Sequence, residues 1–350
     1  MNLDTVLAVV AGAAIVAYAF QSAIRTFLLP QPGQSLLSRA VFWSLRPVVL
    51  ALDRVPSTAG RRHAWLHAYV PLCLVTLVFA TMAVISVGYT AILFGLGVPT
   101  LEDAFLVSIS SISTLGFAPL GDGLAVPVVA TIETMTSILV VAVLIGYLPG
   151  IYSAVQQRER DVAALEASVG RPVSAASILE QFAHPDGDRD LDAFWKEWSE
   201  WFATLGQSHD SMVELLFVQS PRPGRSWIET AGSVLSAAAI TASVAAGRSG
   251  RRAERCVEAG QDAICQISRH AGRLPSRSAA HRDSAAVSRP EFDAAWAALA
   301  AAGLDMVEDP DQAWLAFAER QEFFAHSLQR LARAAGLGLP RDAASGTHEP

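Results

Sequence analysis

Three stretches of this chain carry almost no charge and are long enough to cross a lipid bilayer. Residues 5–24, "TVLAVVAGAAIVAYAFQSAI", hold no Asp, Glu, Lys or Arg. Residues 69–98, "YVPLCLVTLVFATMAVISVGYTAILFGLGV", hold none either. Residues 124–151, "LAVPVVATIETMTSILVVAVLIGYLPGI", are interrupted only by Glu133. About 20 apolar residues span the roughly 30 Å of hydrocarbon as a helix. A chain with three such runs must bury them in lipid or in an unusually large core. The first run reads as a retained span, not a cleaved signal peptide. Asp4 precedes it with no Lys or Arg, and "RTFLLPQPG" follows it without a small-x-small cleavage pattern.

Charge separates the chain into two halves. Residues 1–157 hold six basic side chains (Arg25, Arg39, Arg46, Arg54, Arg61, Arg62) and six acidic ones (Asp4, Asp53, Glu102, Asp103, Asp122, Glu133). The net charge of −7 therefore belongs to the C-terminal half. That organisation predicts a membrane half followed by an acidic soluble half. No clustered basic face suggests a nucleic-acid partner. The cysteines Cys73, Cys256 and Cys265 form no zinc or disulfide pattern.

Loop charges predict orientation. The stretch from Arg25 to Arg62 holds six arginines against Asp53, and Arg158 and Arg160 follow the third run. Asp4, Glu102, Asp103 and Asp122 lie on the other side with no basic residue. The positive-inside rule places the N-terminus outside and the C-terminal half in the cytoplasm of a cell membrane. Within residues 28–68, "SLLSRAVFWSLRPVVLALDRV" reads equally as an interfacial helix or a plain linker helix.

Between the second and third runs the chain cannot complete a crossing. Residues 101–113, "LEDAFLVSISSIS", would form a helix of about 20 Å, two-thirds of the hydrocarbon. Thr100 with Asp103 three residues on resembles a capping box, and Ser113 ends the helix. Pro119 then prevents helix from continuing. The reading is a re-entrant helix that stops at membrane depth with its partially negative end inward, which favours a cation. Irregular backbone at that depth must be buried in protein or line a watery cavity.

The order span, half-helix, "TLGF", span resembles the pore module of the potassium-channel superfamily, whose corresponding stretch reads T-V-G-Y-G-D. The resemblance implies a filter lined by the carbonyls of Thr114, Leu115, Gly116 and Phe117, with Ala118 at its outer end and the Thr114 hydroxyl at its inner end. Carbonyls of this kind replace an ion's hydration shell. It also implies a homotetramer, because one pore loop cannot close a four-fold filter. Permeant potassium is the implied ion, with no other cofactor. Phe117 lacks the tyrosine hydroxyl, Ala118 replaces the second glycine, and the following Asp is displaced to Asp122. A left-handed conformation at Ala118 would cost roughly 1–2 kcal/mol. A weakly selective or sodium-permeable channel is therefore the alternative, and a non-conducting membrane scaffold stands in a different class.

Further candidates surround the loop. Glu133 is the ionisable group well inside a run and reads as a functional group behind the filter or a neutral packing residue. Gly146 and Pro149 read as a gate hinge or a helix end.

The expected fold class is an all-α membrane protein. It has three transmembrane helices, a re-entrant pore helix and a filter loop, followed by a helical cytoplasmic domain. The expected parts are an N-terminal helix and linker (1–68), a pore module (69–157), the cytoplasmic domain (158–340) and a disordered tail (341–350). Phe194, Trp195, Trp198, Trp201, Phe202 and Leu205 form one apolar stripe on a helix from about Leu191. Residues 226–247 read as a packed soluble helix, helices fit 290–303 and 311–335, and 270–290 reads as a loop.

Asp186, Asp188, Asp190, Asp192 and Glu197 match EF-hand ligand spacing, but Leu191 occupies the glycine position. Helix capping explains these acids as well as calcium does. His209 and Asp210 are adjacent and would not face each other on a helix, and no enzyme is expected. The bilayer and an unidentified cytoplasmic regulator are the remaining expected partners. "FWKEWSEWFATLGQSHDSMVELLFV" and "SWIETAGSVLSAAA" resemble stretches of bacterial pore-loop membrane proteins of unsettled role.

Overall fold

The computed structural model describes residues 3–27, 35–53, 64–121, 123–183, 190–218, 220, 225–271 and 287–335. Among them are eleven α-helices, one 3-10 helix and no strand. Contacts divide the chain into two compact units, Met1–Tyr152 and Ser153–Pro350.

The first unit contains α1 (Leu3–Phe27), α2 (Leu36–Asp53), α3 (Ala64–Gly95), α4 (Leu101–Ile112) and the start of α5 (Ala125–Val169). Helices α1 and α3 run antiparallel, held close by glycines. A Cβ added at Gly12 would lie 2.4 Å from the Gly88 carbonyl oxygen. One at Gly95 would lie 2.6 Å from Val9 Cγ2 and 2.8 Å from the Thr5 carbonyl oxygen. In lipid there is no hydrophobic drive between helices, so close backbone approach at small residues supplies the packing. Helix α2 lies against α3, where the Tyr69 hydroxyl donates to the Phe42 carbonyl at 2.8 Å.

Helix α4 is the short element between α3 and α5. Thr100 caps it in an extended conformation (φ −128°, ψ 158°) and accepts the Asp103 N–H at 3.0 Å. Glu102 and Asp103 sit in its first turn, where carboxylates complement the dipole. Its twelve residues rise about 18 Å. Ala104 and Val107 of α4 join Leu93 of α3 and Ala130 of α5 in one buried cluster. Ala19, Ile85, Tyr89 and Val140 form a second cluster among α1, α3 and α5.

The second unit holds the end of α5, α6 (Ala175–Ala183), α7 (Leu191–Ser211), a 3-10 turn (Val213–Phe217), α8 (Trp227–Val244), α9 (Gly247–Ala271), α10 (Arg289–Ala301) and α11 (Pro310–Ala334). The α7 aromatic stripe is buried throughout, with Trp195 and Phe202 fully enclosed. Indole and phenyl rings at these positions touch at centroid distances near 5 Å, as for Trp198 and Trp201 at 4.9 Å.

Among the described residues, four helices are long and apolar enough to cross a membrane: α1, α3, α5 and α8. They differ in what covers them. Of α8, 89% is buried, against 11% of the apolar window of α1. Alanine and serine let α6, α9 and α11 close around α8 on every side. The ends of the expected 270–290 loop are helical, in α9 and α10. The rest of that loop (272–286) and the tail 341–350 lie outside the described residues.

Candidate functional site

The site is the turn that follows α4. Ser113 closes the helix at φ −79° and ψ −6°, and the next residues alternate in handedness. Thr114 has φ +60° and Gly116 has φ +64°; Leu115 and Phe117 are not left-handed. Thr114 is the one non-glycine residue in the left-handed region among the described residues. The strain expected at Ala118 is thus absent there and sits at Thr114, four residues earlier.

Four N–H groups here, those of Thr114, Leu115, Gly116 and Ala118, point back into the end of α4. Thr114 donates to the Ser111 carbonyl at 3.0 Å, and Leu115 and Gly116 both donate to the Ser110 carbonyl at 3.2 Å. The Ala118 N–H donates to the Ser110 hydroxyl at 3.0 Å. These are the carbonyls that any helix leaves unsatisfied in its last turn. A trans peptide holds C=O and N–H on opposite sides of one plane. Hence an N–H turned toward α4 aims the preceding residue's carbonyl away from it. The carbonyls of Ser113, Thr114, Leu115 and Phe117 all point off the helix end. No described residue donates a hydrogen bond to the carbonyl of Thr114, Leu115, Gly116 or Phe117. The side chains of Leu115 and Phe117 are exposed. A row of outward, unbonded carbonyls is a ready ligand set for a desolvated cation.

A buried polar cluster lies behind α4. Glu133 of α5 is fully buried, and its Oε1 accepts the Ser108 hydroxyl at 2.5 Å. The Ser108 and Ser86 hydroxyls are 2.8 Å apart, so α3, α4 and α5 meet through three polar side chains. Thr134 of α5 donates to the Ser111 carbonyl at 3.0 Å, at the root of the turn. Glu133 therefore contacts a side chain of α4 and not the turn itself.

The other sequence candidates are dispersed. Gly146 and Pro149 lie within α5, which continues unbroken to Val169, so Pro149 does not end the helix. Asp122, Asp186 and Asp188 lie outside the described residues. Asp190 caps α7 by accepting the Asp192 N–H at 2.8 Å. Asp192 pairs with Arg248 at 3.1 Å and accepts the Ser249 hydroxyl at 2.9 Å. Glu197 instead lines a cavity of about 270 Å³ in the second unit, beside Asp161, Trp198 and Trp201. No group of three or more His, Cys, Asp or Glu among the described residues is placed to hold a metal ion.

Reading the sequence alone missed Ser86, Ser108 and Ser110. The signal was present as "SISSIS": hydroxyls in an otherwise apolar half-helix need partners, and here they find them.

Together these features define an all-helical protein with several long apolar helices of the kind that cross membranes. No protein-family model matches the chain, and no curated protein or solved structure is significantly similar to it.

Proposed function

We propose that this chain is one subunit of a homotetrameric cation channel of the potassium-channel type. The observation that carries the reading is the turn Thr114–Phe117. The N–H groups of Thr114, Leu115, Gly116 and Ala118 are spent on the end of α4, while the carbonyls of Thr114, Leu115 and Phe117 stand unbonded on the opposite side. One chain supplies one wall of such a site. Four copies around an axis would complete rings of carbonyl oxygens that replace an ion's water.

The proposed topology has three spans, α1, α3 and the first part of α5, with α4 entering from outside. The second unit then lies in the cytoplasm, where it is the place for a regulator to act. The antiparallel α1–α3 pair supports this order, since consecutive single crossings must alternate in direction. Potassium is the proposed permeant ion. A weaker preference for potassium over sodium is the second reading. It is favoured by Ala118, which does not continue the left-handed alternation beyond Gly116, so fewer carbonyl layers are built.

The test is mass determination in mild detergent followed by flux from proteoliposomes under opposed potassium and sodium gradients. Four chains and a potassium-driven flux are expected. A species no larger than a dimer in lipid, or tight vesicles with no cation flux, overturns the proposal.

A further inference from the structure

We propose that Ser110 is the positioning residue that sets the outer end of the filter, an inference that rests on the channel reading. Phe117 brings no hydroxyl with which to tether this loop, yet the loop is tethered. Three of its N–H groups converge on Ser110. Leu115 and Gly116 bond the Ser110 carbonyl, each at 3.2 Å, and Ala118 bonds its hydroxyl at 3.0 Å. Ser110 is 3% exposed, so water does not compete for these bonds.

The two kinds of bond do different work. The Ser110 carbonyl turns the Leu115 and Gly116 N–H groups inward, and so aims the carbonyls of Thr114 and Leu115 outward. Any residue at position 110 would do this. The hydroxyl alone holds the Ala118 N–H, and through that peptide plane it aims the Phe117 carbonyl. Pro119 follows and has no N–H of its own to offer the helix. The Ser110 side chain is therefore the anchor for the last carbonyl of the row, and through it for how tightly the outer site fits an ion.

Ser110→Ala removes the anchor and keeps the Thr114 and Leu115 carbonyls in place. Ser110→Thr keeps a hydroxyl on Cβ. Each variant is measured as the full-length protein in lipid by three readouts: oligomer mass, amide hydrogen exchange over residues 113–120, and the bi-ionic potassium/sodium reversal potential. In Ser110→Ala the Ala118 amide is expected to exchange about threefold to tenfold faster, the factor one net hydrogen bond is worth. The potassium/sodium permeability ratio should fall by a comparable factor, with the oligomer intact. Ser110→Thr should restore both. Unchanged exchange in Ser110→Ala overturns the anchor. Faster exchange with an unchanged reversal potential overturns its part in selectivity. A wild-type protein that passes no ion refutes the channel reading separately, while the exchange measurement still decides whether the hydroxyl holds the turn.

Discussion

Backbone conformation separates Gly116 and Thr114 from their neighbours. A Cβ at Gly116 would meet nothing within 4 Å, so space is no obstacle to substitution there. The obstacle is φ +64°, which a β-branched residue reaches only at a cost of about 1–2 kcal/mol. Gly116→Val is expected to assemble as the wild type does and to lose conduction at least about tenfold, since each 1.4 kcal/mol of misfit is a factor of ten. Normal flux would remove these residues from the permeation path. Glu133 acts through a different interaction. Its Oε1 accepts from Ser108 in a fully buried site, and loss of that acceptor leaves the Ser108 hydroxyl to turn to Ser86, whose carbonyl lies at 3.2 Å. Glu133→Ala should lower stability by about 1–3 kcal/mol in detergent melting, while Glu133→Gln, which keeps a carbonyl acceptor, should lose less than half of that. Equal losses in the two variants would show that volume and not the hydrogen bond matters. These residues were legible to different degrees. Gly116 and Glu133 stand out in the chain because a glycine beside a helix end and a charge inside an apolar run each demand an explanation. Ser110 did not, because its role appears only when the loop returns to it.

Helices and their ends were the most legible elements, and helix contacts the least. Thr100 and Asp103 start α4, and Asp190 starts α7, where short polar side chains compete for N–H groups that the helix leaves open. The approach of α1 to α3 was not legible, because glycine within an apolar run looks the same whether it faces lipid or a neighbour. That difference is testable with two glycines of equal chemistry. Gly12→Ala puts a methyl 2.4 Å from a backbone oxygen and must push the helices apart. Gly146→Ala meets nothing within 4 Å in the middle of α5 and should stabilise by about 0.5–1 kcal/mol through helix propensity alone. The expected thermal midpoints move in opposite directions. A gate that bends at Gly146 would show itself as altered open probability in the stabilised variant. At the start of α10, the Glu291 carboxylate accepts the Ser288 N–H at 2.7 Å and its hydroxyl at 2.8 Å. These bonds hold its carboxyl below the usual range. The folded state therefore releases this proton more readily than the unfolded chain. The contribution is complete above the unfolded carboxylate value, near 4.3, and disappears as pH falls through the folded one. Glu291→Gln should flatten that acid limb slightly in a urea series, because the group is largely exposed and its effect screened.

At the scale of the whole molecule, the number of crossings depends on α8. Its eighteen residues are apolar enough to span, and three spans or four would leave the C-terminal segment on opposite sides of the membrane. Burial separates the two. A transmembrane helix at the edge of a bundle shows a large share of its surface to lipid, and α1 has 11% of its apolar window buried. Helix α8 is 89% buried, and its neighbours are amphipathic helices of its own unit. Arg320 of α11 reaches its Ser243 hydroxyl at 3.3 Å and pairs with Glu254 of α9 at 2.9 Å, polar contacts that suit a water-facing rim. The same unit buries Trp195, Phe202, Phe292, Phe317 and Phe324. It has the internal core that an autonomous domain requires. A fragment from Ser153 onward is therefore expected in the soluble fraction without detergent, strongly helical by circular dichroism and unfolding in one cooperative urea transition. Residues 1–152 should need detergent throughout. If the fragment partitions with membranes and resists carbonate extraction, α8 is a fourth span. The second unit would then be divided by the bilayer, and the cytoplasmic position proposed for it would be lost with the three-span topology.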